Sequence, residues 1–243
     1  MNVTYMRLEA VRLFRNKRVV IFSTLMPALL VLIIGGVSVG GDADAKKYVM
    51  VSMALFGAMT AAISSGGTIA VERGLGWNRT LRLTPLSPAA YVLNKVLLAL
   101  LVGVLPVLIT FVVGAVGLHV RLSPAEWVLC FIGAWLASLP FAALGVVIGY
   151  LAKPDSVQQV SALINLTLAA FGGLWVPVNL MPDTLQYIAK LTPSYWTGQV
   201  ARSRSSTATS TARRSRCSPA GRWPWPSWPC AASAWTPPAP DLD

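Results

Sequence analysis

Charged side chains are scarce in this sequence: Asp, Glu, Lys and Arg make up only 12% of its 243 residues, against 55% hydrophobic ones. With a mean hydropathy of +0.61, the composition excludes a water-soluble globular domain and places the chain in a membrane. Histidine is reduced to His119, so a hydrolase built on a nucleophile and a neighbouring base has one candidate base and no carboxylate cluster around it. Cys130, Cys217 and Cys230 show neither the spacing of a disulfide framework nor that of a metal site. A G-x-x-x-x-G-K-[ST] phosphate loop is absent, so ATP, if used, is bound in that manner only by another chain. The acidic residues, Glu9, Asp42, Asp44, Glu72, Glu126, Asp155, Asp183, Asp241 and Asp243, each lie at the end of an apolar run, in a loop or in the tail, none in mid-membrane. Ion-coupled transporters hold their coupling ion on a charged or polar group near the bilayer midplane, which argues against that class. No catalytic residue, metal site or cofactor is expected, and the chain is read as a non-enzyme.

Apolar runs long enough to cross a bilayer, ~20 residues each, are what the sequence has in quantity. Five stand out, at about 19–40, 48–71, 94–116, 126–151 and 157–178. The expected fold is therefore all-α, a polytopic integral membrane protein with five transmembrane helices. Ahead of them, Arg7, Arg12, Arg15, Lys17 and Arg18 share residues 1–18 with Tyr5, Leu8, Val11 and Phe14 at helical spacing, which predicts an interfacial helix. The second run is rich in small residues from Gly57 to Gly67, and Gly145 and Gly149 form a G-x-x-x-G pair, both suited to close helix contact. Pro177 to Pro182 breaks the pattern, and Leu185, Ile188, Ala189 and Leu191 predict a short exterior helix, interfacial or re-entrant.

The formal charge of +11 would suggest nucleic acid in a soluble protein. Here the basic residues flank apolar runs, where they meet lipid headgroups and set orientation. Arg and Lys concentrate in the N-terminus, in the segment from Glu72 to Lys95 and at Lys153, which predicts a cytoplasmic N-terminus and a cytoplasmic 72–91 loop. The opposite loops carry few basic residues.

Residues 201–243 depart from this pattern. From Arg202 onward there are six arginines, eight serines, seven prolines and four tryptophans, a composition expected to be disordered rather than a packed helix. After five spans these arginines would also lie outside, against the charge rule. Because tryptophan has a single codon ending in G, reading each hidden codon as the last base of one residue plus the first two of the next turns Trp223-Pro224, Trp225-Pro226 and Trp228-Pro229 into alanines. Arg222-Trp223, Pro224-Trp225, Ser227-Trp228 and Pro229-Cys230 become leucine, valine or methionine. An apolar segment lies in the shifted frame, so the tail is expected to be a frameshift product standing in place of a sixth span.

Glu72-Arg73-Gly74 directly after a span, Arg82-Leu83 with Pro85-Leu86-Ser87, and Lys95 opening the next span resemble the ABC-2 family of exporter permeases, in which this loop forms the coupling helix. The segment from Pro177 to Pro193 is similar to the family's exterior segment before its sixth span, and the basic N-terminus, with Tyr5, Arg7, Arg12 and Arg15, is similar to its elbow helix. The resemblance covers residues 1 to 200, with 19–200 as the transmembrane domain, and looks most like the small permeases of daunorubicin-type drug exporters. It implies a permease in a bacterial cell membrane, a homodimer bound to two ATP-binding subunits, exporting an amphipathic drug, antibiotic or lipid by alternating access. Drug efflux and antibiotic resistance would follow. In the loop, Leu75, Trp77, Leu81 and Leu83 would be apolar anchors on the ATPase and Arg73 and Arg82 its charged contacts, with Glu72, Gly74, Pro85 and Leu86 in the same element. The alternatives are a permease for lipid or polysaccharide cargo and a non-transporting membrane sensor or immunity protein.

Overall fold

The computed structural model describes residues 17–38, 43–76, 88–176, 178 and 181–202. The elbow residues Tyr5, Arg7, Arg12 and Arg15, the loop residues Trp77, Leu81, Arg82, Leu83, Pro85 and Leu86, and the tail from 203 onward lie outside the described residues. Among those described, every regular element is a helix: α1 (Lys17–Ile33) continued by a π-helical segment (Ile34–Ser38), α2 (Ala43–Gly74), α3 (Pro88–Gly117), α4 (Pro124–Leu136), α5 (Leu139–Leu151), α6 (Val157–Phe171) and α7 (Asp183–Leu191). Residues 193–202 form a further helix, α8. The fold is all-α and polytopic: α2, α3 and the α4–α5 pair are long and apolar enough to span, and α1 and α6 are shorter apolar helices.

α2 and α3 reach further than the apolar runs in the sequence. At about 1.5 Å per residue, the 32 residues of α2 extend about 48 Å, against a hydrocarbon core of about 30 Å. Its last turn, with Glu72 and Arg73, is therefore helical, and the stretch between α2 and α3 is 75–87 instead of 72–91. The fourth run is not one helix: α4 ends at Leu136 and α5 begins at Leu139. Pro140 has no N–H for the Leu136 carbonyl and its ring collides with it, while the Ser138 hydroxyl donates to the Trp135 carbonyl at 2.6 Å. The fifth run also stops short of Val178. Gly172 ends α6 at Phe171, and Gly173 turns the chain with a left-handed φ of +71°, its carbonyl accepting a 2.6 Å hydrogen bond from the Tyr48 hydroxyl.

Helix α2 is the hub, with Met50, Met53, Ala54, Leu55, Ala58, Met59, Ala61 and Ala62 fully buried against α1, α3, α4, α5 and α6. Its small residues make this possible. A Cβ on Gly145 of α5 would lie 2.9 Å from the Ala62 and Ile63 carbonyl oxygens, and one on Gly149 would strike the Gly66 carbonyl, so the G-x-x-x-G pair is the place where the α5 and α2 backbones touch. A Cβ on Gly57 would lie 2.9 Å from Pro106 of α3 and 3.0 Å from the Ser23 carbonyl of α1. That carbonyl is the one Pro27, lacking an N–H, cannot bond.

At one end of the bundle, Ser123 and Glu126 form a capping box at the start of α4, and Lys47 of α2 lies 3.7 Å from Glu126. The amphipathic α7 buries Ala189 and exposes Tyr187 and Leu191. Ala201 and Arg202, placed with the tail by composition, belong instead to the bundle. Ala201 is fully buried, and Arg202 donates to Ser52 Oγ at 3.0 Å and covers the Tyr48 ring at 4.5 Å.

Candidate functional site

Besides the Arg202–Ser52 and Lys47–Glu126 contacts, two places among the described residues carry polar chemistry. The first is the root of the 75–87 stretch, where α2 ends and α3 begins. Glu72 and Lys95 face each other there, Glu72 in the last turn of α2 and Lys95 about two turns into α3. Lys95 Nζ lies 2.7 Å from Glu72 Oε1, the Tyr91 hydroxyl donates to Glu72 Oε2 at 2.7 Å, and all three residues are buried. Both carboxylate oxygens are engaged, and Lys95 also lies 5.5 Å above the Tyr91 ring and 3.5 Å from Thr68 Oγ1. In a low-dielectric setting such a pair holds only while complete, because removing one partner strands a buried charge. The pair therefore ties the two ends of the stretch together.

Next to it, Arg73 Nη1 donates to the carbonyl of Tyr150 and lies 3.4 Å from that of Gly149, in the last turn of α5. A cation at a helix C-terminus meets unbonded carbonyls and the negative end of the dipole. The Arg73 guanidinium also stands 6.0 Å from the Tyr150 ring centroid, and a Cβ on Gly74 would lie 2.6 Å from Pro154 Cγ. The α5–α6 turn is thus seated on the end of α2. The 75–87 stretch is rooted in α2 and α3, and through Arg73 and Gly74 in α5 and α6.

The second place is a lateral cleft of about 1050 Å³ between α1, α2 and α6. Its outer wall is apolar, with Ile21, Phe22, Leu25, Met26 and Leu29 from α1. Deeper in, α6 turns a four-residue-spaced stripe of Val157, Ser161, Asn165 and Ala169 toward the bundle, and Asn165 Nδ2 donates to Thr60 Oγ1 of α2 at 2.8 Å. Phe56 and Trp175 meet edge to face, 5.6 Å apart, at the same cleft. The Asn165 Oδ1, Ser161 Oγ and Trp175 Nε1 atoms are buried without a hydrogen-bond partner.

Of the loop residues singled out from sequence, the structure brings Glu72, Arg73 and Gly74 into contact with helices, and leaves Leu75 pointing outward at 73% exposure. Glu72 is turned wholly inward, toward Lys95 and Tyr91. Sequence reasoning passed over Tyr91, Tyr150 and Pro154 as members of this root, because their partners are 19 or more residues away along the chain. It also passed over Thr60, Ser161 and Asn165, though polar residues four apart within an apolar run are a readable sign of an inward stripe. Among the described residues, no three His, Cys, Asp or Glu side chains cluster as a metal site would require.

Residues 3–204 match the family model of the ABC-2 type transporter. The chain is also 32% identical over 197 residues, 79% of its own length and 80% of the relative's, to a Bacillus subtilis (strain 168) protein named "Putative transport permease YvfS". Nearly the whole bundle lies inside that match, and its apolar helices embed it in a membrane. The chain belongs to the ABC-2 type transporter family and is a transport permease subunit.

Proposed function

We propose that this permease is the membrane half of an ATP-driven exporter, moving an amphipathic drug, antibiotic or lipid outward while a separate subunit hydrolyses ATP. The observation that carries the reading is the rooting of the 75–87 stretch. The end of α2 and the start of α3 are joined by the Glu72–Lys95 pair and α2 is latched to α5 by Arg73, so a push delivered where α2 and α3 are joined would tilt both and drag the α5–α6 turn. The lateral cleft, walled by α1, α2 and α6, would change its exposure with that motion. Leu75, outward-facing, then anchors the ATPase together with Trp77, Leu81 and Leu83, with Arg82 as a charged contact. Arg73 acts as a latch more than as an ATPase contact, and Glu72 as its neighbour's brace.

Arg73, Lys95 and Lys153 gather at this end of the bundle, and Arg79 and Arg82 follow α2 in the sequence, which supports a cytoplasmic location for this end and for the N-terminus. A bacterial cell membrane is the setting, with a basic elbow at residues 1–18. Two permease chains with two ATPase chains give one cleft per copy. The tail from 203 is read as the product of a shifted frame that replaces a sixth span; the family match stops at 204, which supports that boundary. Co-expression with the ATP-binding subunit tests the assembly. The tagged chain should retain the ATPase through purification, a Leu75→Asp variant should retain much less, and a chain that never retains it would sink the exporter reading.

A further inference from the structure

Helices α5 and α6 both pack on α2, but not in the same way. A Cβ on Gly145 of α5 would lie 2.9 Å from the Ala62 and Ile63 carbonyl oxygens, so those two backbones touch. Against α6 the contact is made by side chains: a Cβ on Gly67 of α2 would lie 3.3 Å from Ser161 Oγ and from Val157 Cγ2. Two polar atoms of α6 are stranded in this seam, Ser161 Oγ beside Gly67 and Oδ1 of Asn165, whose amide meets Thr60. The Thr60 hydroxyl cannot serve the amide oxygen. Its one proton goes to the Phe56 carbonyl at 2.8 Å, so toward Asn165 it accepts, from Nδ2 at 2.8 Å, and Oδ1 is left over.

Neither stranded atom exposes as much as 1 Å², so no water touches it while the seam is closed. A buried polar group without a partner raises the free energy of the packing that buries it, and water would serve both atoms if the helices separated. The seam thus carries a bias toward parting that an apolar one lacks. α6 also has a pivot at each end. At its start Pro154 rests against Gly74, and at its end Gly172 and Gly173 turn the chain, Gly173 with a φ of +71°. The Tyr48 hydroxyl holds the Gly173 carbonyl at 2.6 Å, at the pivot itself, and between the pivots the Asn165–Thr60 bond crosses the seam. We propose that α6 parts from α2 between these pivots, admitting water to Ser161 and Asn165 and widening the lateral cleft, while α5 stays fixed to α2. The use of this motion in transport rests on the exporter reading above; the motion itself does not.

Cysteine labelling of the full chain in nanodiscs tests it, with Cys130, Cys217 and Cys230 replaced and a charged methanethiosulfonate, which reacts with a water-exposed thiolate, as the reagent. Ser161→Cys reports the α2–α6 seam, and Ala142→Cys on α5, buried like Ser161, is the control; both should label fully in denaturant. In the folded chain Ser161→Cys should react roughly tenfold faster than Ala142→Cys. Thr60→Val combined with Asn165→Leu makes the seam apolar at nearly constant shape and should slow Ser161→Cys about threefold or more. Thr60→Val alone strands the Asn165 NH2 as well and should quicken it by a similar factor, which keeps the test alive if the double variant does not fold. Equal rates at the two cysteines, or a Ser161→Cys rate indifferent to the seam variants, would overturn the proposal. A faster rate in the double variant would do the same, since the Asn165–Thr60 bond would then be what matters and the stranded atoms would not. Assembly is read separately in the complex with the ATPase. Seam labelling without retained ATPase removes the exporter alone, and an active complex in which Ser161→Cys stays as slow as Ala142→Cys removes the seam alone.

Discussion

Lys95 Nζ and Glu72 Oε1 lie 2.7 Å apart across the mouth of the stretch that joins α2 to α3, both side chains almost completely buried. Two charges have been taken out of solvent at the margin of the apolar core, and the Tyr91 hydroxyl fills the second carboxylate oxygen. A broken pair is worse than none. Glu72→Gln and Lys95→Met, made singly, should each cost about 3–5 kcal/mol and lower the unfolding temperature in detergent sharply. Glu72→Leu combined with Lys95→Met should recover most of that loss. Additive losses in the double variant would show that the two side chains act independently.

Arg73 predicts a different phenotype, because its partners are backbone carbonyls of α5 and its side chain is exposed. Arg73→Ala should change thermal stability by only about 1 kcal/mol, yet uncouple the α5–α6 turn from α2. In a complex with the ATPase, basal ATP turnover should persist while transport falls severalfold, with Arg73→Lys in between. Loss of turnover and transport in equal proportion would place Arg73 at the ATPase surface instead.

The contact of α5 with α2 is backbone on backbone. Gly145→Val should push the helices apart, because its Cβ would come within 2.9 Å of two carbonyl oxygens that cannot move aside. The expected cost is about 1–3 kcal/mol or more, read as loss of monodisperse protein. Gly36 is a matched control: a Cβ there meets nothing within 4 Å, and Gly36→Ala should be tolerated.

The tail makes a prediction about nucleic acid rather than protein. Sequencing independent clones of the source DNA across the codons for Val200 to Arg216 should reveal a gained or lost base. An intact frame in every clone would mean that the basic tail is genuine.

How much of this was legible in the sequence depended on range. The membrane class and the all-helical fold followed from apolar runs, because in lipid a segment must satisfy its own backbone and a helix does so alone. Pro140 and Gly172-Gly173 signalled breaks within the fourth and fifth runs, but hydropathy smooths over a single proline or glycine pair. Helix ends were misplaced at Glu72 and Arg73 for the opposite reason: their charge reads as a loop, while tertiary partners on α3 and α5 keep them helical. Asn165 and Thr60 are 105 positions apart, and nothing in either local sequence announces the other. Pairings of that kind come only from the packing of three separate helices around one cleft.

ATP hydrolysed on the partner subunit should change the exposure of the cleft. Ser64, on the α2 wall, can report it as Ser64→Cys in a chain whose Cys130, Cys217 and Cys230 are replaced, assembled with the ATPase in nanodiscs and labelled with a water-soluble maleimide. The labelling rate should change severalfold between the nucleotide-free complex and the complex trapped with ATP and vanadate, and Arg73→Ala should blunt the change. The same rate in both states, with the ATPase bound and active, would contradict the account.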